Sequence, residues 1–250
     1  MNPQPGSILR NTLMLVLVVM AAWQALYWIV GEVALRSPLQ TLTFAAKFIS
    51  TPQFAAHLAE TSKAFSLALL LAVVIGLTIG FALGAGRFLS EIFEPMLVAL
   101  YSIPKITLYP ILLLAFGLGM SSKVAFGTIH GVIPIALFTI TAVRNVKPVY
   151  IKTGRVMGLS QLDVIARIVF PAALPEIFAG LRIGFSLTLI GTLLGEMFAS
   201  QRGLGFLLMS AIGLHNIELI MTLTLLLTVF AGTASVLLLA LNQRLYARAQ

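Results

Sequence analysis

The chain has 250 residues, of which 59% are hydrophobic and only 10% charged, with a mean hydropathy of +1.03. Soluble domains carry about 25% charged residues, so a water-soluble fold of this size has no means of hiding this much apolar surface. The absence of cysteine excludes disulfides, thiol nucleophiles and cysteine-based metal sites. The net charge of +8 sits in short segments between apolar runs, a pattern of topology signals rather than a nucleic-acid face.

A spanning helix needs about 20 mainly apolar residues. Asn11 to Val30 qualifies without a charge. Its apolar stretch exceeds a secretory h-region and no small-residue cleavage site follows, so it reads as a retained helix. Gly31 to Lys63 is a long connection, its helix-compatible stretches broken at Pro38 and Pro52, and is expected to rest on the membrane surface. Ala64 to Gly86 is a second uncharged span, and Pro95 to Gly119 a third, apolar except for Lys105. Val124 to Val143 is interrupted only by His130. Ile177 to Phe198 carries Arg182 near its start and Glu196 near its end, and Leu219 to Leu241 is uncharged. The fold class expected is therefore an all-α membrane protein of about six transmembrane helices, one domain over residues 1–250.

Six spans place both termini on one side. With that side cytoplasmic, Arg10, Arg87, Arg144, Lys147, Lys152, Arg155, Arg167, Arg244 and Arg248 lie inside, against Arg36, Lys47, Lys63, Lys123 and Arg202 outside. The excess of basic residues favours both ends in the cytoplasm.

Arg144 to Glu176, inside, is longer than a helix hairpin needs. Pro148 fits a first helical turn, Gly158 suits a left-handed stop, and Ser160 with Asp163 three residues on resembles a capping box. The second helix is expected to present Leu162, Ile165, Ala166 and Val169 on one side, to end at Pro171, and to hand over to a fifth span opened by Pro175. Two short helices meeting at a bend are too amphipathic to enter the bilayer and look like a docking element for a cytoplasmic partner.

The spacing of Gly158, nine residues, then Ile168, Val169, Phe170 and Pro171 resembles the Glu-Ala-Ala loop of ABC importer permeases. Ala172 to Arg182, the Pro104–Pro110 segment running into Phe116–Gly119, and Gly203 to Phe206 are similar to the nitrate/sulfonate/taurine branch of that family, in order from about residue 60 to 245. The resemblance implies a type I importer permease fold in a bacterial inner membrane. Residues 144–176 would be the coupling loop, with Lys152, Thr153, Gly154, Gly158, Leu159, Ser160, Asp163, Ile168 and Pro171 facing a separate ATPase subunit. That subunit would bind ATP and Mg, this chain holding no cofactor. A periplasmic or lipid-anchored solute-binding protein, a second identical permease chain and membrane lipid are the other implied partners. The implied solute is a small anion such as a sulfonate, taurine or nitrate. Lys152, Thr153 and Gly154 stand where the family has Glu-Ala-Ala, so the docking contacts are expected to differ.

Candidate pathway residues are Pro104, Lys105, Pro110, His130 and Glu196. A charge inside a span costs at least about 2.5–3.5 kcal/mol and so faces the bundle interior or water. Pro104 and Pro110 break the helix around Lys105, giving a cation at a bend. Lys105 either lines the pathway or pairs structurally with Glu91 or Glu94. His130 reads first as packing, and Glu196 either meets solute or pairs with Arg202. Glu176 and Arg182 read as interface anchors. Gly76, Gly80 and Gly84, Gly180 and Gly184, and Gly191 and Gly195 are at helix-contact spacing, within the chain or across a dimer.

The sequence carries no phosphate-binding loop, no HExxH and no clustered carboxylates, so a self-contained enzyme is not expected. An ion-coupled secondary transporter would need an inverted repeat, and an intramembrane enzyme a polar cluster at one interface. Neither is evident, and co-purification with a soluble ATPase separates the three. If Lys105 lines a pathway, Lys105→Met lowers solute uptake in vesicles while assembly and basal ATPase activity persist; unchanged uptake removes Lys105 from the pathway.

Overall fold

The computed structural model describes residues 5–249, with side chains for 10–198 and 200–243. Arg244 and Arg248 of the basic-residue balance lie outside the described side chains. The chain divides into two compact units, residues up to Ala56 with Leu207–Val229, and His57–Phe206 with Phe230 onward.

In the first unit, α1 (Pro5–Val30) exposes apolar side chains such as Leu15, Leu17 and Trp28, as a lipid-facing helix does. The turn after it is held by polar contacts. Trp23 Nε1 donates to the Arg36 carbonyl at 3.0 Å, and Glu32 accepts from Tyr27 and Gln40, each at 3.0 Å. These donors, with Arg36 nearby, hold the Glu32 carboxyl below the usual glutamate range. Ser37 caps α2 (Pro38–Ile49) through a reciprocal box with Gln40. Pro38 and Pro52 thus start helices rather than break them, at positions where a missing N–H costs nothing.

The long connection is therefore not all surface-lying. Its second half is the beginning of α3 (Pro52–Gly84), one helix of 33 residues. At 1.5 Å per residue that is about 50 Å, well beyond a hydrocarbon core of about 30 Å. A search for uncharged runs stops at Lys63, whereas the polar residues before it occupy ordinary helical positions.

The third span is broken. Helix α4 (Arg87–Ser102) and the segment formed by a tight turn at Lys105–Leu108 and α5 (Tyr109–Phe116) meet at 88°. Pro104 supplies the cause, because it drives the preceding residue out of the helical region. Ile103 is extended, with φ −67° and ψ 133°. Pro110 adds no second break, since it stands in the first turn of α5. With this bent pair as one span, the described residues hold six, the others being Arg10–Val30, Pro52–Gly84, Met120–Arg144, Gln161–Phe198 and Ile217–Gln243.

Helix α6 (Met120–Arg144) is the centre of the second unit. Gly76, Gly80 and Gly84 of α3 lie against Ile135, Thr139 and Val143 of α6. On its other side α6 meets α9 (Phe170–Ala199), where Gly180, Gly184, Gly191 and Gly195 face Phe138, Ile135, His130 and Lys123. The glycine rows are thus filled within the chain, by α6. A Cβ on Gly131 would meet Thr188 Oγ1, with Ala72 Cβ at 2.9 Å and the Gly184 carbonyl at 3.2 Å.

The segment between α6 and α9 forms α7 (Pro148–Val156), α8 (Gln161–Val164) and a π-helical turn at Ile165–Val169 that runs without interruption into α9. Pro171 therefore does not end a helix, and Pro175 lies inside one. The wide turn is the reason. Phe170 N–H bonds the Ile165 carbonyl five residues back, which opens the turn preceding the proline ring. It also shifts the buried face to Val164 and Val169, leaving Leu162, Ile165 and Ala166 exposed. Helices α10 (Leu204–Gly213) and α11 (Ile217–Ala249) complete the chain.

Overpacking a close helix contact costs about 1–3 kcal/mol. Gly131→Val is expected to lower the thermal midpoint of the detergent-purified protein, whereas Gly232→Ala, where a Cβ meets nothing within 4 Å, leaves it equal or higher. Equal midpoints for Gly131→Val and the parent would show that the contact is loose.

Candidate functional site

Chemistry-bearing residues gather at three places. The first is the α7–α8 bend. Helix α7 stops in a Schellman arrangement, with Leu159 N–H to the Gly154 carbonyl and Gly158 N–H to the Arg155 carbonyl, both 3.0 Å. Gly158 takes φ +78°, a left-handed conformation that disfavours any side chain. Ser160 then accepts from Asp163 N–H at 3.2 Å and donates to its carboxylate at 2.6 Å, and Arg167 bridges Asp163 at 3.2 Å.

Underneath, Val164, Val169, Ala173 and Ile177 form a core with Ala142 and Val146, and Leu159 packs on it. The bend is thus rooted in the C-terminal end of α6 and the N-terminal end of α9. Its tip is apolar and bare: Val156 is 88% exposed, Met157 73% and Leu162 79%. Gly154 is buried, and a Cβ there would stand 2.5 Å from Ile168 Cδ1, so the small residue lets α7 lie against the turn before α9. Lys152, Thr153, Gly158, Ser160 and Pro171 are exposed, while Asp163 and Ile168 are half-buried. A hollow of about 660 Å³ between the two arms is lined by Tyr150, Thr153, Gly154, Ile168 and Pro171 among others.

The second place was not foreseen. Lys123, assigned to an outer loop, is 1% exposed in the first turn of α6, and Glu196 is 0% exposed. Lys123 Nζ lies 2.9 Å from Glu60 and 3.5 Å from Glu196. Thr61 Oγ1 donates to the Glu196 carboxylate at 2.8 Å, Gly205 N–H donates to it at 3.0 Å, and Leu204 N–H donates to Thr61 at 2.8 Å. Glu196 therefore pairs with Lys123, not Arg202, whose carbonyl instead receives Lys123 at 3.4 Å. The Gly203–Phe206 motif acquires a reason here. Gly203, at φ +120°, would drive a Cβ into the Glu196 carboxylate, and Gly205 would drive one into the Leu193 carbonyl. The glycines let the loop wrap a buried anion. The signal available in the sequence was one lysine and one glutamate at the outer ends of neighbouring apolar runs.

The third place is the break at Pro104. Lys105 Nζ donates to the Tyr101 carbonyl at 3.1 Å and lies 4.8 Å from the Tyr101 ring. It pairs with neither Glu91, held by Arg87 at 2.8 Å, nor Glu94, held by Arg144 at 2.6 Å. His130 is buried, with Nδ1 2.8 Å from the Phe126 carbonyl and its ring against Gly191, which is a packed position. No group of His, Asp or Glu suited to a metal ion occurs among the described residues.

A bent span, a central glycine-lined helix and a rooted bend between two spans define the class as a multi-pass α-helical membrane protein. Comparisons with known proteins agree. Residues 72–250 match the family described as binding-protein-dependent transport system inner membrane component, and this chain belongs to it. It is 30% identical over 203 residues to the taurine transport system permease protein TauC of Escherichia coli (strain K12), covering 77% of this chain and 74% of that one. It is also 30% identical over 234 residues to the nitrate import permease protein NrtB of Synechocystis sp., covering 88% and 82%. The fold matches the inward-facing MetNI methionine ABC transporter with a TM-score of 0.67 at 17% identity, over 78% of this chain and 99% of that one. The chain is accordingly an inner-membrane permease component of an ABC importer, from a family of subunits that are not themselves enzymes.

Removing one partner of a buried ion pair costs about 3–5 kcal/mol. Lys123→Met, which strands Glu196, is expected to lower the thermal midpoint strongly. Glu196→Gln costs less, because an amide oxygen still accepts from Thr61 and Gly205 while Lys123 keeps Glu60. The reverse order of midpoints would show that the hydrogen bonds, not the charges, hold the cluster.

Proposed function

We propose that the α7–α8 bend is the coupling element on which a separate ATPase subunit seats, and that two copies of this chain form an alternating-access pathway for a small organic or inorganic anion. The carrying observation is the bare apolar tip, Val156, Met157 and Leu162, on an element whose base is built into the core. Three exposed apolar side chains on a water-facing bend call for a covering partner. A rigid base lets movement of that partner reach α6 and α9. The excess of basic residues puts this bend and both termini in the cytoplasm.

ATP and Mg are then bound by the partner, with no cofactor in this chain. A periplasmic or lipid-anchored binding protein delivers solute at the opposite face. The substrate class is supported by the relatives named for taurine, aliphatic sulfonates and nitrate. Lys152 at the position of the family's glutamate matches a partner cleft with a complementary change.

Burying a charge in an apolar interface is expected to cut affinity for the partner by at least about ten-fold. Leu162→Glu should therefore abolish co-purification of the ATPase and ATP-driven uptake in reconstituted vesicles, with the permease still folded. Gly158→Val, which removes the left-handed stop, should do the same. ATP-driven uptake surviving both changes would place the ATPase elsewhere.

A further inference from the structure

Arg182 projects from the span Gln161–Phe198, and none of the ion pairs among the described residues includes it. Its Nε is shielded from solvent and has no hydrogen-bond partner. Six of the eight acidic residues are paired with other cations: Glu32 with Arg36, Glu60 and Glu196 with Lys123, Glu91 with Arg87, Glu94 with Arg144, and Asp163 with Arg167. Glu176, on the same helix, is six residues away and accepts from Asn145. Six residues of α-helix turn through about 600°, so the two side chains do not share a face. A guanidinium within a span without an anion is costly and calls for one.

Arg182 opens on a cavity of about 260 Å³, lined also by Tyr101, Ser186 and Ser235 with Ile183 and Leu187. Ser186 Oγ already donates to the Arg182 carbonyl at 3.3 Å, so the Tyr101 and Ser235 hydroxyls and one planar cation against an aliphatic wall are what suit a small oxyanion, since the guanidinium fork matches two oxygens at once. Tyr101 is also the residue whose carbonyl and ring hold Lys105, a second cation that adjoins this lining residue without itself lining the cavity. Arg182 is thus more than an interface anchor.

We propose that Arg182, with Tyr101, Ser186 and Ser235, forms an anion-binding subsite within the bundle that receives the oxyanion group of the transported solute. It rests on the permease reading above and adds where the charge of the solute is read. A single arginine with hydroxyls, rather than a closed cage, holds an anion while leaving it able to depart.

The test uses the full transporter, permease with ATPase and binding protein, reconstituted in vesicles and supplied with labelled nitrate, methanesulfonate or taurine. A charge-assisted hydrogen bond is worth about 1.5–3 kcal/mol, so Arg182→Gln should reduce uptake about ten-fold or more. Arg182→Lys should recover part of it. Uptake by Arg182→Gln equal to the parent overturns the subsite. So does ATP-driven uptake by the parent of a neutral or cationic solute with none of the three anions. If Arg182→Gln fails to assemble, Tyr101→Phe with Ser235→Ala decides: a several-fold higher KM for the anion supports the subsite, and an unchanged KM overturns it. Absence of any ATP-driven uptake by the parent would instead fail the permease reading itself.

Discussion

Two helices approach α6 at backbone distance, and the second unit depends on that closeness. Between apolar helices in lipid there is no hydrophobic drive to associate, so contact area at short range carries the packing. Glycines of α3 meet one face of α6 and glycines of α9 the other, so close that an added Cβ would often press within 3.0–3.3 Å of a carbonyl oxygen. The same closeness brings Lys123 at one end of α6 against Glu196 of α9. At the other end it brings Ala142 and Val146 onto the base of the α7–α8 bend. One rod is gripped along its length, with an ion pair at one end and the bend at the other.

The charges in the bundle divide into two kinds. Lys123 and Glu196 are buried more deeply than any other ionisable pair among the described residues, yet each has a full complement of partners. That cluster ties His57, Glu60 and Thr61 of α3, the start of α6, the end of α9 and the Gly203–Phe206 loop, and it serves architecture. Arg182 and Lys105 have no carboxylate. Architecture leaves few charges unpaired in a low-dielectric region, so these two are where solute chemistry is to be sought.

Element identity was largely legible in the sequence. Long uncharged runs, Pro104 at a break, and Gly158 with Ser160 and Asp163 at a bend follow from local rules of hydropathy, proline sterics and capping, and the structure has each. Boundaries were less so, because α3 continues through His57 and Glu60, whose polarity tertiary partners accept, and through an exposed Lys63. The Lys123–Glu196 pair lies beyond local reading altogether. It joins positions more than seventy apart in sequence, and each alone looks like a loop charge. Pro171 misled because helix termination is its usual effect, and the wide turn that spares the helix has no sequence signature of its own.

That turn at Ile165–Val169 bears on orientation. An inserted residue in one turn advances the chain by roughly 100° about the helix axis relative to a regular continuation. The compass direction in which Val156, Met157 and Leu162 point, as seen down α9, is therefore fixed by a residue tally within five positions. Deleting or adding one residue there would swivel the tip around the rod while every helix stayed intact.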